Sequence, residues 1–222
     1  RFAIILTHNR PQLLKECVAA VAPQCDTVIV IDNASDPPVR AQDLPGLGQV
    51  AGCVLGIPDQ PPNLAALWNR GFDLIAGMDH DTDPYWIAVL CDDALIPDGW
   101  YQAVVDAMTA TGAAAGCSNP FGHLHEPRLK TAPDSDIMGR MPGWAFILDG
   151  TKGLRADETM KWWFSDTSLD FTARQAGGMV MIGSHPVPNR LPNDFTNSKP
   201  ELAEQAGRDR QRFAEVWGFV PW

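Results

Sequence analysis

Residues 86–100, with the sequence WIAVLCDDALIPDGW, constrain the fold of this chain more than any other segment. The apolar half, residues 86–90, has the length and composition of a buried strand. The strand stops at Asp92 and Asp93, and residues 97–99 then turn the chain into a helical pattern. Two adjacent carboxylates at the carboxyl end of a buried strand lie where open α/β sheets bind their ligands.

Asp92 and Asp93 admit two interpretations on their own. Carboxylate oxygens are the ligands that Mg²⁺ and Mn²⁺ prefer, which favours a metal site. Aspartate is also a common cap of turns and helices, which favours a structural turn. The remainder of the chain has to decide between these two interpretations.

The size and composition of the chain indicate one globular α/β domain. A chain of 222 residues can bury a sizeable core, and 45% hydrophobic against 20% charged residues argues against disorder. The formal net charge of -10 is poorly suited to a nucleic-acid backbone, so we expect no nucleic-acid partner. Because no apolar run reaches membrane-spanning length, we also expect no transmembrane segment.

Cysteine usage indicates a reducing compartment. The five cysteines are scattered and form no C-x-x-C pair, so the sequence contains neither a zinc signature nor a disulfide framework. Free cysteines in apolar runs behave as small buried hydrophobic residues. We therefore expect a cytoplasmic protein.

Hydrophobic periodicity predicts an alternation of strands and helices along the whole chain. The predicted strands are residues 2–6, 27–31, 50–55, 86–90, 113–118, 144–148 and 180–182. The predicted helices follow Pro11 and cover about 64–75, 100–111, 166–175 and 200–217. Residues 119–139 are predicted to be irregular. The first strand, helix and strand form a β-α-β unit, which implies parallel pairing. Without an internal repeat or linker, residues 1–222 are expected to be one domain.

Three polar clusters follow successive predicted strands. They are residues 7–10 (THNR), residues 32–33 (DN) and residues 92–93 (DD). In a parallel sheet, the carboxyl ends of the strands meet at one edge, so these clusters should converge.

With these clusters, the chain resembles a family 2-type glycosyltransferase of the GT-A (Rossmann-like) fold, an α/β fold with a mostly parallel central sheet flanked by helices. The motifs THNRP, IDNAS, WNRG and LCDDA occur in the order typical of that family, and the later FSDTSLDFTARQAG resembles its acceptor-side motif. The resemblance implies an inverting transfer of a sugar from a nucleoside-diphosphate sugar, by default a UDP-sugar, to a hydroxyl of a glycan or protein acceptor. It also implies assistance by Mn²⁺ or Mg²⁺.

The resemblance assigns roles to individual residues. Those implied to bind the nucleotide sugar are Thr7, His8, Asn9, Arg10, Asp32, Asn33, Asn69, Arg70 and Asp92. Within this set, Asp32 corresponds to the acid that reads the base or ribose, and Arg70 to a residue near the diphosphate. Asp93 matches the last aspartate of the D-x-D metal motif, and Asp166 matches the catalytic base.

The sequence departs from the family pattern at three positions. Cys91 stands where many members have the first aspartate of D-x-D, and Ser168 where the acceptor motif often has a second aspartate. The late metal-ligand histidine corresponds to His185, or its position is taken by Asn189. Asp166 also has a structural alternative, because aspartate is a favoured helix N-cap.

Two further interpretations of the function stay open. A degenerate module that binds a nucleotide sugar without turnover would tolerate Cys91 and Ser168. A sugar-nucleotide nucleotidyltransferase ranks lower, because those enzymes place a glycine-rich loop after the first strand, where this chain has THNRP. Trp144 and Trp163 could stack on sugar rings, although tryptophans also fill cores.

Overall fold

The computed structural model describes residues 1–57, 62–78, 84–188, 190 and 199–220. Within these residues, the chain forms eight strands and five α-helices. The strands are β1 (Phe2–Thr7), β2 (Thr27–Asp32), β3 (Ala51–Gly56), β4 (Trp86–Cys91), β5 (Ala115–Ser118), β6 (Arg128–Lys130), β7 (Ala145–Asp149) and β8 (Met179–Ile182). The helices are α1 (Pro11–Val21), α2 (Leu64–Ala76), α3 (Trp100–Thr111), α4 (Ser165–Gln175) and α5 (Pro200–Trp217).

All of these strands belong to one sheet, in the order β3-β2-β1-β4-β7-β5-β8-β6. The pairs β2–β3, β1–β2, β1–β4 and β5–β8 are parallel, whereas β7 runs antiparallel to both of its neighbours and β6 runs antiparallel to β8. The predicted mostly parallel sheet is therefore confirmed. In register, Thr7 of β1 pairs with Asp32 of β2, and Leu6 pairs with Cys91 of β4. The three polar clusters consequently leave the sheet at the same edge.

The central part of the sheet is buried on both faces, which explains why β1, β2 and β4 are apolar along almost their whole length instead of alternating with polar residues. Along β1, Ala3 and Ile5 belong to the core layer that also contains α1 and α3. Ile4 and Leu6 point to the opposite layer, which contains α2 and α4. This alternation is the two-residue period of a strand. The helices therefore cover both faces and leave the carboxyl edge open.

Strand β6 corrects the prediction of irregular structure over residues 119–139. Arg128–Lys130 pairs antiparallel with β8 at the edge of the sheet. The strand has only three residues, two of them charged, and its central Leu129 is 42% exposed. A segment of this length and composition carries no hydrophobic period that could distinguish it from a loop.

A separate aromatic cluster holds α5 against α4. Phe164, Phe171 and Phe213 are buried together, and Trp217 packs against them. The indole N–H of Trp217 also donates a hydrogen bond to Ser168 Oγ at 3.1 Å. The predicted C-terminal helix is thus confirmed as an element packed on the sheet-covering helices. In the described part of the chain, no helix combines the length and apolarity needed to cross a membrane.

Candidate active site

A cavity of about 550 Å³ opens at the carboxyl edge of β1 and β4. This volume lies within the range of small-molecule binding sites. Eight of the residues predicted for the site line the cavity: Thr7, His8, Asn9, Arg10, Asn33, Asp92, Asp93 and Asp166. The other four, Asp32, Asn69, Arg70 and His185, are not part of its wall.

Hydrogen bonds tie the loop after β1 to the loop after β2. His8 Nδ1 donates to the carbonyl oxygen of Asn33 at 2.6 Å, and the Asn9 N–H donates to Ser35 Oγ at 2.8 Å. In return, the Asp36 N–H donates to Asn9 Oδ1 at 2.7 Å. Asn9 adopts a φ of 55°, a left-handed conformation that asparagine tolerates better than most residues. The two loops therefore form one continuous wall.

Asp92 fixes two residues of the first loop. Thr7 Oγ1 donates to Asp92 Oδ2 at 2.8 Å, and Arg10 Nη1 donates to Asp92 Oδ1 at 3.2 Å. Burial raises the pKa of the Asp92 carboxyl, while the Arg10 charge and the Thr7 hydrogen bond act in the opposite direction. Arg10 Nη1 also lies 3.8 Å from Asp93 Oδ2. One guanidinium is thus shared between the two adjacent carboxylates.

The donor set suits a cation that is bound together with a diphosphate. Magnesium sites commonly use one or two carboxylates and complete their coordination with substrate phosphates and water. Asp93 lines the cavity and can supply such a carboxylate. Among the described residues, no group of three His, Cys, Asp or Glu side chains could hold a metal by itself. Asp93 is therefore the carboxylate that could hold such a cation, with the diphosphate and water as the remaining ligands.

His185, the other predicted metal ligand, is not among the residues that line the cavity. His185 lies near the start of α3, where an ideal Cβ at Gly99 would be 3.5 Å from its Nε2. Asn189, its alternative, lies outside the described residues. Removal from water and the nearby aspartates raise the pKa of the Cys91 thiol well above its usual value. This thiol donates to the Gly143 carbonyl oxygen across 3.7 Å. A protonated thiol is a poor ligand for a hard cation.

Three residues that the resemblance assigns to the nucleotide sugar lie outside the cavity wall. Asp32 accepts hydrogen bonds from the N–H groups of Ser35 and Val39, both at 3.0 Å. Asn69 exchanges hydrogen bonds with the backbone of Ala156, at 2.9 and 3.0 Å. Arg70 is exposed on α2. Asp32 shapes the loop that presents Asn33 to the cavity, whereas Asn69 attaches α2 to the segment before α4.

Asp166 lies in the first turn of α4 and lines the cavity together with the loop after β1. The N-cap position belongs to Phe164, whose φ of 64° is left-handed, so Asp166 is not the cap itself. Its Oδ1 accepts a hydrogen bond from the N–H of Thr167 at 2.7 Å. An ideal Cβ at Gly143 would lie only 2.7 Å from Asp166 Oδ2. Glycine at position 143 therefore makes room for this carboxylate.

The antiparallel direction of β7 brings Gly143 into the site. Residues that precede β7 lie beside residues that follow β4, and the Cys91 N–H donates to the carbonyl oxygen of Trp144 at 3.0 Å. The Trp144 indole N–H donates to the Val187 carbonyl oxygen at 2.7 Å, which fixes the ring. Trp144 and Trp163 both line the cavity, together with Trp68, Trp162 and Phe164.

Sequence reasoning missed the residues that the C-terminal part of the chain contributes. Arg140, Lys199, Glu201 and Leu202 line the cavity. The last two belong to α5, whose sequence reads as an ordinary amphipathic surface helix. When the other elements of a cavity are distant in sequence, no local pattern shows that a residue of a helix will line that cavity.

A mostly parallel sheet with acidic strand ends, closed over a partly aromatic cavity, defines a glycosyltransferase of the GT-A fold. The chain belongs to glycosyl transferase family 2, because the model of that family matches residues 2–158. The family suggested by the sequence motifs is thereby confirmed. No curated protein matches the chain significantly.

Solved structures share the fold. The crystal structure of S. aureus TarS 1-349 superimposes with a TM-score of 0.63 at 12% identity, covering 98% of this chain and 72% of that chain. The same fragment in complex with UDP gives a TM-score of 0.65 at 11% identity, covering 99% and 72%. The longer S. aureus TarS structure gives 0.62 at 12% identity, covering 97% of this chain and 42% of that one. At this identity the likeness establishes the GT-A fold.

Proposed function

We propose that this protein transfers a sugar from a UDP-sugar to a hydroxyl group of a glycan or protein acceptor, with inversion and with the help of Mn²⁺ or Mg²⁺. The observation that carries the proposal is the placement of two kinds of groups on one cavity. Asp93, the loop that contains Arg10 and the Asp166 carboxylate all line this cavity. We further propose that the chain acts as one catalytic domain in the cytoplasm.

The loop after β1 and the end of β4 suit the nucleoside diphosphate. Thr7, Asn33 and Asp92 line the cavity where strand ends of α/β sheets receive ligands. Arg10 adds a positive charge held in place by Asp92, and such a charge favours a diphosphate. A bound Mn²⁺ or Mg²⁺ at Asp93 would stabilise the charge that develops on the leaving diphosphate. Solved S. aureus TarS structures include complexes with UDP and with UDP-GlcNAc, which supports a UDP-sugar donor here.

Asp166 is the proposed general base. The acceptor oxygen forms a bond to the anomeric carbon as the bond from that carbon to the diphosphate breaks, through an oxocarbenium-like transition state. The acceptor hydroxyl loses its proton in this step, and one positioned carboxylate suffices to take it. Asp166 borders the cavity, and the small Gly143 leaves room beside its Oδ2. A single displacement with one base inverts the anomeric configuration.

The aromatic wall supports a carbohydrate substrate. Trp144 and Trp163 line the cavity near Asp166. Apolar faces of sugar rings pack well against indole rings, and the polar edge of a sugar can reach the carboxylates beyond them. We assign these two tryptophans to the sugar-facing wall.

A donor screen tests the proposal. Thermal shift with Mn²⁺ and each common nucleotide sugar should identify one donor that raises the melting temperature, because a ligand of the native state stabilises it. Slow hydrolysis of that donor is the expected second result. A donor that binds and is not hydrolysed, with or without acceptors, would favour the degenerate binding module instead. Cys91 and Ser168 at motif positions support that second candidate.

A further inference from the structure

A buried carboxylate on α5 gathers hydrogen bonds from the segment that enters α4. Asp209 is 0% exposed. Its Oδ1 accepts from the Lys161 N–H at 3.0 Å, and its Oδ2 accepts from the N–H groups of Trp162 and Trp163 at 2.7 and 2.8 Å. The side-chain amide of Gln205 donates to Oδ1 at 2.6 Å. A buried charge with this many donors is compensated, whereas the same charge without them would be costly.

Three consecutive N–H groups directed at one carboxylate determine the local backbone. Successive amides converge on an anion only when the chain folds into a concave turn. The other side of this turn is fixed as well, because the Leu64 N–H at the start of α2 donates to the Lys161 carbonyl oxygen at 2.7 Å. The segment is therefore held between α2 and α5, and Asp209 accepts three of its backbone hydrogen bonds from the α5 side.

The same segment forms the aromatic side of the cavity. Trp162, Trp163 and Phe164 follow one another along the wall, and Asp166 comes two residues later. Phe164 stands at the helix N-cap in a left-handed conformation, a strained backbone that surrounding contacts must maintain. A shift of the turn at 161–163 would thus be transmitted to the start of α4 and to the carboxylate on it.

We propose that Asp209 is a positioning residue of the active site. It acts through the backbone of Trp162 and Trp163, and it holds the aromatic wall and the first turn of α4 at the distance that catalysis requires. This inference rests on the proposed function, because that function makes the aromatic wall part of the active site. It concerns a helix outside residues 2–158, the segment that the family model matches.

The variant Asp209→Asn tests the proposal. Its side-chain NH2 group would replace one carboxylate oxygen and face at least one backbone N–H, so that hydrogen bond would be lost. Trp217→Phe is the matched control, since it removes a hydrogen bond of the same helix at Ser168 and leaves the turn intact. We expect Asp209→Asn to bind UDP with Mn²⁺ within about twofold of wild type and to hydrolyse UDP-GlcNAc, or the donor found in the screen, at least about tenfold more slowly. Trp217→Phe should keep both values within about twofold. Equal hydrolysis rates in the two variants would overturn the proposal and make Asp209 a purely structural residue.

Hydrogen exchange on the wild-type protein gives a measurement that does not depend on a folded variant. The amides of residues 161–163 should exchange at least about a hundredfold more slowly than those of an unstructured peptide, because a buried acceptor holds them. Rapid exchange at these three amides would refute the positioning role. Absence of donor binding by the wild-type protein would instead contradict the proposed function, so the two failures are distinguishable.

Discussion

The two sides of the cavity are built by different means. On the strand side, loops that directly follow β1, β2 and β4 meet because the strands are parallel and in register. On the helix side, the segment before α4 is fixed by Asp209, which lies 46 to 48 residues further along the chain. The strand side depends on sheet topology, and the helix side depends on a few long-range hydrogen bonds.

Under the proposed function, each side has its own task. The strand side carries Arg10 and the two aspartates and suits the nucleoside diphosphate. The helix side carries Asp166 and the aromatic wall and suits the sugar and the acceptor. Variants on the strand side should therefore change nucleotide affinity, whereas variants on the helix side should change turnover at nearly constant nucleotide affinity.

Asp166→Asn is the sharpest variant on the helix side. Asparagine cannot take a proton, so turnover should fall by about 10²–10⁴-fold while UDP affinity stays near wild type. Stopped assays of donor turnover and calorimetric titration of UDP measure the two quantities. If turnover survives, Asp166 is structural and the division between the two sides fails.

Asp170, one helical turn later, is a poor substitute for Asp166. It is 0% exposed, and Arg174 Nη2 donates to its Oδ2 at 2.6 Å. It also accepts a hydrogen bond from the Met141 N–H at 3.1 Å. Asp170 therefore holds the loop before β7. Because its carboxylate is buried and already paired, it could not replace Asp166 as the base for an acceptor hydroxyl.

Gly143→Ala should displace the same carboxylate without removing it. The new Cβ would lie 2.7 Å from Asp166 Oδ2, so the side chain has to move. Misplacement of a reacting group by about 1 Å costs up to roughly 10²-fold, and we expect turnover to fall by about 10- to 100-fold. Gly207→Ala is the control, because nothing lies within 4 Å of its new Cβ. Equal turnover of the two alanine variants would contradict the contact between Gly143 and Asp166.

Asp93→Ala tests the strand side. With Mn²⁺ present, the affinity for UDP should fall about tenfold, to the value that wild type shows with EDTA, because the carboxylate for the cation is lost. Calorimetry with and without the metal measures both values. A wild-type affinity that is the same with Mn²⁺ and with EDTA would speak against metal assistance.

Asp32→Ala should have a smaller effect on affinity. The residue is outside the cavity wall, and its carboxylate supports the turn that carries Asn33. We expect UDP binding to weaken by about 1 kcal/mol, roughly fivefold, through this turn, with a comparable loss of folding stability. Titration calorimetry and urea unfolding check the two losses. A much larger loss of affinity at unchanged stability would indicate direct contact with the base or ribose.

The strand side of the site could be predicted from the sequence because its information is local. Each cluster directly follows an apolar run, and the topology of parallel strands brings the clusters together. Thr7, Asn33 and Asp93 line the cavity as expected. Asn69 lies outside the cavity wall, because this helix residue has a buried structural partner that no local pattern reveals.

The helix side was only partly predictable. The motif predicts Asp166, which lines the cavity, whereas no local signal marks its neighbour Gly143 or its support Asp209. Both act through partners that are distant in sequence. A glycine in a loop or an aspartate on a helix can also have many other local roles, such as a turn or a cap. The sequence does not predict strand β6 for a related reason. Pairing with β8 defines this strand more than its own three residues do.

The reversed direction of β7 has an evolutionary consequence. Because this strand runs against β4 and β5, its beginning lies beside the ends of its neighbours. The loop of residues 131–144 therefore reaches the edge of the cavity, and it belongs to a strand that carries none of the motifs assigned to the nucleotide. Insertions or exchanges in this loop can reshape the entrance beside Asp166 while the registers of β1, β2 and β4 are conserved. Under the proposed function, exchanges in this loop would alter acceptor preference on an unchanged donor-binding frame, and grafting the loop would be the direct route to engineer it.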